Sequence, residues 1–239
     1  DVYSPEASTQ VYRQLRRMKI PAELHLYADR PHGFFGKAGK GEFATGFDNW
    51  FGRAAEFIRQ MNFDGRLGPE VDLMSRFPDD SARNVYEKED VWPAGKMPDV
   101  QTNQCNPYLE WHIPKELKTT AIQIVYSGGG YNRNSPDGFE VAPLRRYLNA
   151  KGMAVVVLKY RSPRPNPPLA KHTTAWQDLQ RAIRIVRLEA ESRGLDPNRI
   201  GIMGSSAGGH LTLMGTTSSM HRSYLPIDKI DETPCNVQW

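Results

Sequence analysis

Ser206 lies at the centre of Gly204-Ser205-Ser206-Ala207-Gly208, a G-x-S-x-G run whose spacing suits a serine hydroxyl acting as a nucleophile. A hydroxyl held on a very tight strand-to-helix turn needs an unfavourable backbone angle and neighbours without side-chain bulk. The helix that follows lends partial positive charge to a developing oxyanion. A plain glycine turn would spell the same letters, so context decides. Here Ile200–Met203 reads as a short strand and Ala207–Met214 as a helix, as the motif requires. Ser206 is therefore the nucleophile candidate, and Ser205, in the x position, is expected to point elsewhere. A second run, Ser127-Gly128-Gly129-Gly130-Tyr131, directly follows the strand-like Ala121–Tyr126. Successive glycines leave backbone N–H groups uncovered, which suits an oxyanion hole, although an ordinary flexible turn has the same composition.

Both turns need a scaffold, and the chain around them alternates strand and helix. Tyr108–Ile113 and Ala121–Tyr126 are strand-like, and Phe139–Ala150 reads as a helix with Val141, Leu144, Tyr147 and Leu148 on one face. Met153–Leu158 is a continuous apolar run, the pattern of a strand buried on both faces in a parallel sheet. Thr173–Ser192 repeats Trp176, Leu179, Ile183, Val186 and Ala190 at helical spacing. Such alternation implies crossovers, so the expected fold class is α/β with a mostly parallel sheet. Residues 62–107 differ in character. Glycines and prolines from Gly65 to Pro107 break every candidate element, and charges crowd Asp79–Asp90. This stretch reads as a linker or wrapping segment from which Tyr86 and Trp92 could dock on a surface. Residues 1–61 form a third piece. They read as a helix over Glu6–Met18 started by Ser4-Pro5, a strand over Glu23–Tyr27, a loop over Asp29–Phe34 and a helix over Phe47–Met61.

Composition removes several functions. The 239 residues are 39% hydrophobic and 24% charged, enough to build a sizeable core. The net charge of +4 comes without a basic block or a CxxC-type finger, which argues against nucleic-acid binding. No apolar run approaches the roughly 18 residues of a membrane span, so no membrane partner is expected. The opening DVYSPEAS lacks the basic start and apolar stretch of a signal peptide. Cys105 and Cys235 cannot form a disulfide framework, and His112, His172 and His221 have no metal-ligand spacing; no metal or cofactor is expected. His210, on the first turn of the elbow helix, is expected to face away from the pocket and pack structurally, as His25 is within its strand. Asp228 with Asp231, Asp79-Asp80 and Glu87-Glu89-Asp90 read as solvated charge clusters, and Trp50 and Trp176 as core. Arg161, Pro163, Arg164 and Pro165 read either as a pocket entrance or as a rigid surface loop.

Three blocks carry a family resemblance: SGGGY at 127–131, VVVLKYRSP at 155–163 and LDPNRIGIMGSSAGGHL at 195–211. The stretch from Tyr126 to Leu213 resembles the α/β-hydrolase esterases of the carbohydrate-esterase type, the acetyl-xylan and feruloyl esterase-like group. The likeness covers roughly residues 107–239. DVYSP, a helix, and then PAELHLYADRPHGF are similar to the other end of that fold: acid loop, helix, strand, histidine loop. On that match Asp1 stands where the catalytic acid stands and His32 where the base stands. By residue type alone His32 could be a solvent-facing loop histidine and Asp1 a chain terminus; the helix and strand between them favour the match. The resemblance implies a serine esterase hydrolysing acetyl or feruloyl esters of plant polysaccharides through a Ser206-His32-Asp1 triad. Backbone N–H groups of Ala207 and of Gly129 or Gly130 would hold the oxyanion. An acylated polysaccharide or oligosaccharide is the implied partner, and a secreted or periplasmic protein the implied setting.

The element order departs from the family, in which serine precedes acid and histidine along the chain. Residues 1–61 read as a C-terminal-type hydrolase segment carrying the acid and histidine loops, 62–107 as the joint, and 108–239 as the N-terminal-type part. The sheet is therefore expected in permuted or truncated element order. A window on tandem hydrolase domains is favoured over a circular permutant or an incomplete chain. Unpaired strand edges would then invite a homo-oligomer or a domain-swapped assembly. Two other readings stand beside the esterase. One is a peptidase on the same fold; the other is a non-catalytic, hydrolase-like binding or assembly module with a separated triad.

Overall fold

The structure is a computed structural model that describes residues 5–17, 84–138 and 140–239. The chain divides into two units, Asp1–Asp72 and Leu73–Trp239. The described part of the first is helix α1, Pro5–Arg17, where Pro fits the opening turn. Tyr12 and Leu15 are half-buried on it while Arg13, Arg16 and Arg17 are exposed, as the amphipathic pattern predicts. The expected strand over Glu23–Tyr27, the Asp29–Phe34 loop and the Phe47–Met61 helix lie outside the described residues.

The second unit is built on a five-stranded sheet: β1 (Asn84–Asp90), β2 (Tyr108–Pro114), β3 (Ile122–Tyr126), β4 (Ala154–Lys159) and β5 (Ile200–Gly204), in the order β1-β2-β4-β3-β5. β3 is buried along its whole length, Gln123 included, and β4 in all but its last residue, which is why the β4 segment reads as an uninterrupted apolar run. Helix α2 (Ala142–Ala150) packs on β2 and β4. Helix α4 (Ala207–Thr217) packs on β5, and helix α3 (Thr173–Glu189) packs on α4. Leu109, Trp111, Ile124, Val156 and Leu158 of the sheet meet Leu179, Ile183 and Val186 of α3 in the core.

The sheet is mixed, not mostly parallel as the alternation of elements suggested. β3 runs parallel to β4 and β5, but β1–β2 and β2–β4 are antiparallel. Helical crossovers impose parallel pairing only where they occur, and none separates β1 from β2. β1 itself forms inside the stretch read as linker or wrapping segment. Its pairing register, Asn84↔Pro114 to Asp90↔Tyr108, comes from β2 and not from apolar alternation of its own. Beyond it Val91 and Trp92 are buried against the core.

Charged residues are buried where the sequence suggested exposure. Arg161, read as pocket entrance or surface loop, is fully buried at the end of β4 beside Asp178 of α3. Its backbone N–H donates to Asp178 Oδ2 at 2.7 Å, and its Nε and Nη2 lie 2.9 Å from Oδ1. The Trp92 indole N–H donates to the same carboxylate at 2.7 Å. The remaining guanidinium hydrogens reach Pro98 O, Thr174 O and Gln177 Oε1. Burial pushes the Asp178 carboxyl up, and the Arg161 and Trp92 donors pull against that. Asp228 and Asp231, read as solvated, both pair with Arg181 of α3. Asp231 is buried and also accepts the Tyr224 hydroxyl at 2.5 Å. A charge cluster in sequence carries no record of the cation that will meet it in space.

Two stability predictions follow from these buried charges. Asp178→Asn should cost about 3–5 kcal/mol in urea denaturation, because it leaves Arg161 charged and buried without its counter-ion. Replacing both, Arg161→Met with Asp178→Leu, should cost less than the single change; an equal or larger loss would show that the pair is not the unit. At the β1 edge, burial pushes the Glu89 carboxyl up to about 7, with the Trp111 N–H pulling it down and Glu189 raising it further. The folded state then holds a proton that the unfolded chain has released, so this contribution is complete below about pH 4.5 and is lost as pH rises through about 7. Glu89→Gln should flatten that slope, with a gain on the order of 1 kcal/mol at about pH 8 after solvent screening. Denaturation midpoints across pH would read it.

Candidate active site

β3 lies between β4 and β5, so the crossover through α2 leaves β3 on one side and the crossover through α3 returns on the other. Such a switch point opens a crevice at the carboxyl ends of the strands. The register Tyr126↔Gly204 brings the loop after β3 level with the turn after β5. The glycine run and the G-x-S-x-G turn are neighbours for that reason.

Ser206 caps α4 with φ 52° and ψ −118°, a left-handed backbone that a non-glycine residue adopts only under strain of about 1–3 kcal/mol. The flanking glycines permit the turn by close approach. A Cβ on Gly204 would come within 2.6 Å of the Tyr126 ring, and one on Gly208 within 2.8 Å of Ser127 O. Gly128 lies against the serine itself: a Cβ there would fall 2.8 Å from Ser206 Cβ. Ala207 begins α4, so its N–H belongs to the unpaired first turn of the helix. The Ser205 hydroxyl is buried and has no partner among the described residues.

Beside this turn the loop opens on a cleft of about 270 Å³ lined by Ser127, Gly128, Gly129, Arg133, Ser135, Gly138 and Glu140. Side chains from outside the glycines hold the loop. Glu140 Oε2 accepts the Gly128 N–H at 2.6 Å, and the Tyr160 hydroxyl reaches Ser127 O and Gly128 O, each at 3.0 Å. Ser127 Oγ donates to Asn134 Oδ1 and accepts the Ser135 N–H, closing the loop on itself. The Lys159 ammonium also donates to Asn134 O.

Two tyrosines tie the loop region to the elbow helix. The Tyr126 hydroxyl meets Thr212 Oγ1, and the Tyr131 hydroxyl meets His210 Nδ1, both at 2.8 Å. Burial, with help from His172 and Lys171, pushes the His210 imidazole down, which suits a neutral ring accepting from the phenol. His210 is only partly desolvated and not packed away as the sequence suggested; the residue is largely open to solvent while Nδ1 bonds to Tyr131 beside the glycine loop. Trp176 packs half-buried against the core, as expected.

Of the residues singled out in the sequence, Ser206, Ala207, Gly129 and Gly130 cluster here; Gly129 and Gly130 carry φ of 101° and 63°. Asp1 and His32 lie outside the described residues. Sequence reasoning missed Glu140 and Tyr160. The only available signal for Tyr160 was its place in LKYR straight after a buried strand, and nothing local marked Glu140. No group of three or more His, Cys, Asp and Glu among the described residues is arranged to hold a metal ion. No described helix is long and apolar enough to cross a membrane.

A strained serine between a strand and a helix, beside a glycine loop on a mixed sheet, defines the α/β-hydrolase fold, and comparison with known proteins agrees. The family model BD-FAE matches residues 109–235, and the chain belongs to that family. The resemblance to esterases of the carbohydrate-esterase type is thereby borne out. The chain is 33% identical to an acetylxylan esterase of Xylanibacter ruminicola over 129 residues, 50% of this chain and 25% of that protein. It is 34% identical to endo-1,4-beta-xylanase B of Butyrivibrio fibrisolvens over 125 residues, 52% of this chain and 19% of that one. The chain thus spans a quarter or less of these relatives. Among solved structures it is similar to an acetyl ester-xyloside bifunctional hydrolase from Caldicellulosiruptor lactoaceticus, with TM-score 0.50 and 28% identity over 63% of this chain and 54% of that one. A thermophilic esterase from Thermogutta terrifontis, at TM-score 0.51 and 23% identity over 67% and 52% of the two chains, shares the fold.

The strain at position 206 can be measured apart from any activity. Ser206→Gly should be more stable than Ser206→Ala by about 1 kcal/mol, since only glycine relaxes at that φ. Gly208→Ala should lose about 1–3 kcal/mol by forcing β3 and α4 apart. Thermal melts of the three variants would check both expectations.

Proposed function

We propose that this chain carries the nucleophile of a serine esterase that removes acetyl or feruloyl groups from plant polysaccharides. The single observation that supports this best is the left-handed backbone of Ser206 at the start of α4, with Gly128 pressed against its side chain. In this reading Ser206 Oγ attacks the ester carbonyl while His32 takes its proton. The tetrahedral intermediate collapses as His32 returns the proton to the leaving sugar alcohol, and water then hydrolyses the acyl-serine by the same steps. Asp1 orients the imidazole and stabilises its charged form. The Ala207 N–H, at the positive end of α4, and a glycine-loop N–H hold the oxyanion; losing one such donor costs about 3 kcal/mol of barrier. The substrate class rests on family membership and on the acetylxylan esterase and acetyl ester-xyloside hydrolase likenesses. In this reading residues 1–61 contribute the acid and histidine loops and 108–239 the nucleophile and oxyanion loop, with 62–107 running between them and supplying the edge strand β1 on the way.

The test is a chromogenic short-chain acyl ester with and without a serine-directed phosphonate. Ser206→Ala should abolish both turnover and labelling, while Ser205→Ala should lose less than about tenfold, because only the central position is held over the sheet. Equal losses would remove Ser206 from its role, and turnover that survives Ser206→Ala would remove the serine mechanism. Absence of turnover and labelling in the unaltered chain would favour the non-catalytic binding module. Acetyl and other small acyl esters should be preferred over long acyl chains and peptides.

A further inference from the structure

The glycine loop has no side chains with which to hold its own shape, yet an oxyanion donor works only if its N–H is aimed before the reaction begins. Two residues from outside the loop set that aim. Tyr160, buried just past the end of β4, shares its hydroxyl between Ser127 O and Gly128 O, each at 3.0 Å. A peptide unit is planar and trans, so its C=O and N–H point in opposite directions. With Ser127 O turned to the phenol, the Gly128 N–H points away from it, and Glu140 Oε2 meets that N–H at 2.6 Å. With Gly128 O also turned to the phenol, the next N–H, that of Gly129, points away in its turn. Both amides therefore leave the loop on the side opposite Tyr160. Glu140 occupies the first and leaves the second to the reacting carbonyl.

We propose that Tyr160 and Glu140 are positioning residues for ester hydrolysis, clamping the Gly128 backbone from both sides so that the Gly129 N–H is the loop's oxyanion donor. The proposal rests on Ser206 being the nucleophile. It also selects Gly129 over Gly130. Burial, reinforced by Tyr131 and Glu140, pushes the Tyr160 phenol far up, so it remains a donor throughout the working pH range. Its neighbour Arg161 is locked to Asp178, and the Tyr126 and Tyr131 rings stand 6.3 Å and 6.0 Å from it, so the phenol itself has little freedom to wander.

The experiment compares Tyr160→Phe, Glu140→Ala and Glu140→Gln with the unaltered full chain. It reads kcat and KM on a chromogenic acetyl ester, and Ki for a small boronic acid that forms a tetrahedral adduct on the serine oxygen. Tyr160→Phe and Glu140→Ala should each lower kcat about tenfold to a hundredfold, short of the 10²–10³ for deleting a donor outright. KM should stay within about twofold, and the boronate Ki should rise by the factor that kcat falls, because substrate and tetrahedral species are affected differently. Glu140→Gln should recover most of the loss, since its amide oxygen can accept the same N–H. Should Tyr160→Phe fail to fold, the Glu140 pair alone decides. The assignment is overturned if Tyr160→Phe and Glu140→Ala both match the unaltered chain, if Glu140→Gln is as poor as Glu140→Ala, or if kcat falls while the boronate Ki does not move. Ser206→Ala separates the two levels: retained turnover sinks the reading of the site. A dead Ser206→Ala beside fully active Tyr160→Phe and Glu140→Ala sinks only the clamp.

Discussion

The buried pair of Arg161 and Asp178 is the constraint from which the second unit takes its arrangement. A guanidinium and a carboxylate withdrawn from water are tolerated only when nearly every donor and acceptor is met. Meeting them recruits distant parts of the chain. The backbone N–H of Arg161 fixes where β4 ends, Thr174 and Gln177 fix how α3 begins, and Trp92 with Pro98 draws in the segment after β1. The Trp92 ring also lies within 6 Å of the Arg161 and Arg181 guanidinium carbons and edge-on to Tyr224, so a second ion pair, Arg181 with Asp228 and Asp231, leans on the same indole. All of these donors and acceptors are met by this one arrangement of strand end, helix and wrapping segment.

The candidate site borrows this rigidity. Tyr160 is covalently next to Arg161, and its hydroxyl reaches up into the glycine loop. On the other flank the loop is held by bonds to α4, from Tyr126 to Thr212 and from Tyr131 to His210. A strained serine and a stretch of bare backbone are poor guardians of their own geometry. The surrounding phenols and the Glu140 carboxylate supply what the glycines, by their nature, cannot.

How much of this was legible depended on whether a feature is local. The elbow and the glycine run could be read directly, because the demand there is for missing side chains, and Gly204, Gly208 and Gly128 show it as close approaches in the structure. β4 was legible as an apolar run and β3 as strand-like, since both are buried on both faces. β1 was not: Val85 and Tyr86 are exposed on it, and its Glu87 and Glu89 find their partners on Arg193 and Trp111 far along the chain. The same holds for Arg161 and Asp231, whose burial depends on a counter-charge carried by another element. Strand direction was lost too, since periodicity records which face is buried and not which way the strand runs. Tyr160 and Glu140 act on a loop that neither belongs to, and no local pattern records that.

The pairing of β3 with β5 brings the glycine loop and the elbow together, and of the four strand pairings among the described residues it joins the two most distant stretches of chain. Closing a longer loop carries a larger entropic penalty, and contacts of high sequence separation slow the search for the native state. The β1–β2 ladder joins strands much nearer in sequence, and its connection is pinned where Trp92 and Pro98 meet Asp178 and Arg161. The turn at Ser206 has no independence, because an unfavourable φ is held only once β5 is seated beside β3 and α4 has closed over it. A chain able to present the serine in this conformation is therefore one in which β3, β5 and α4 are already packed together.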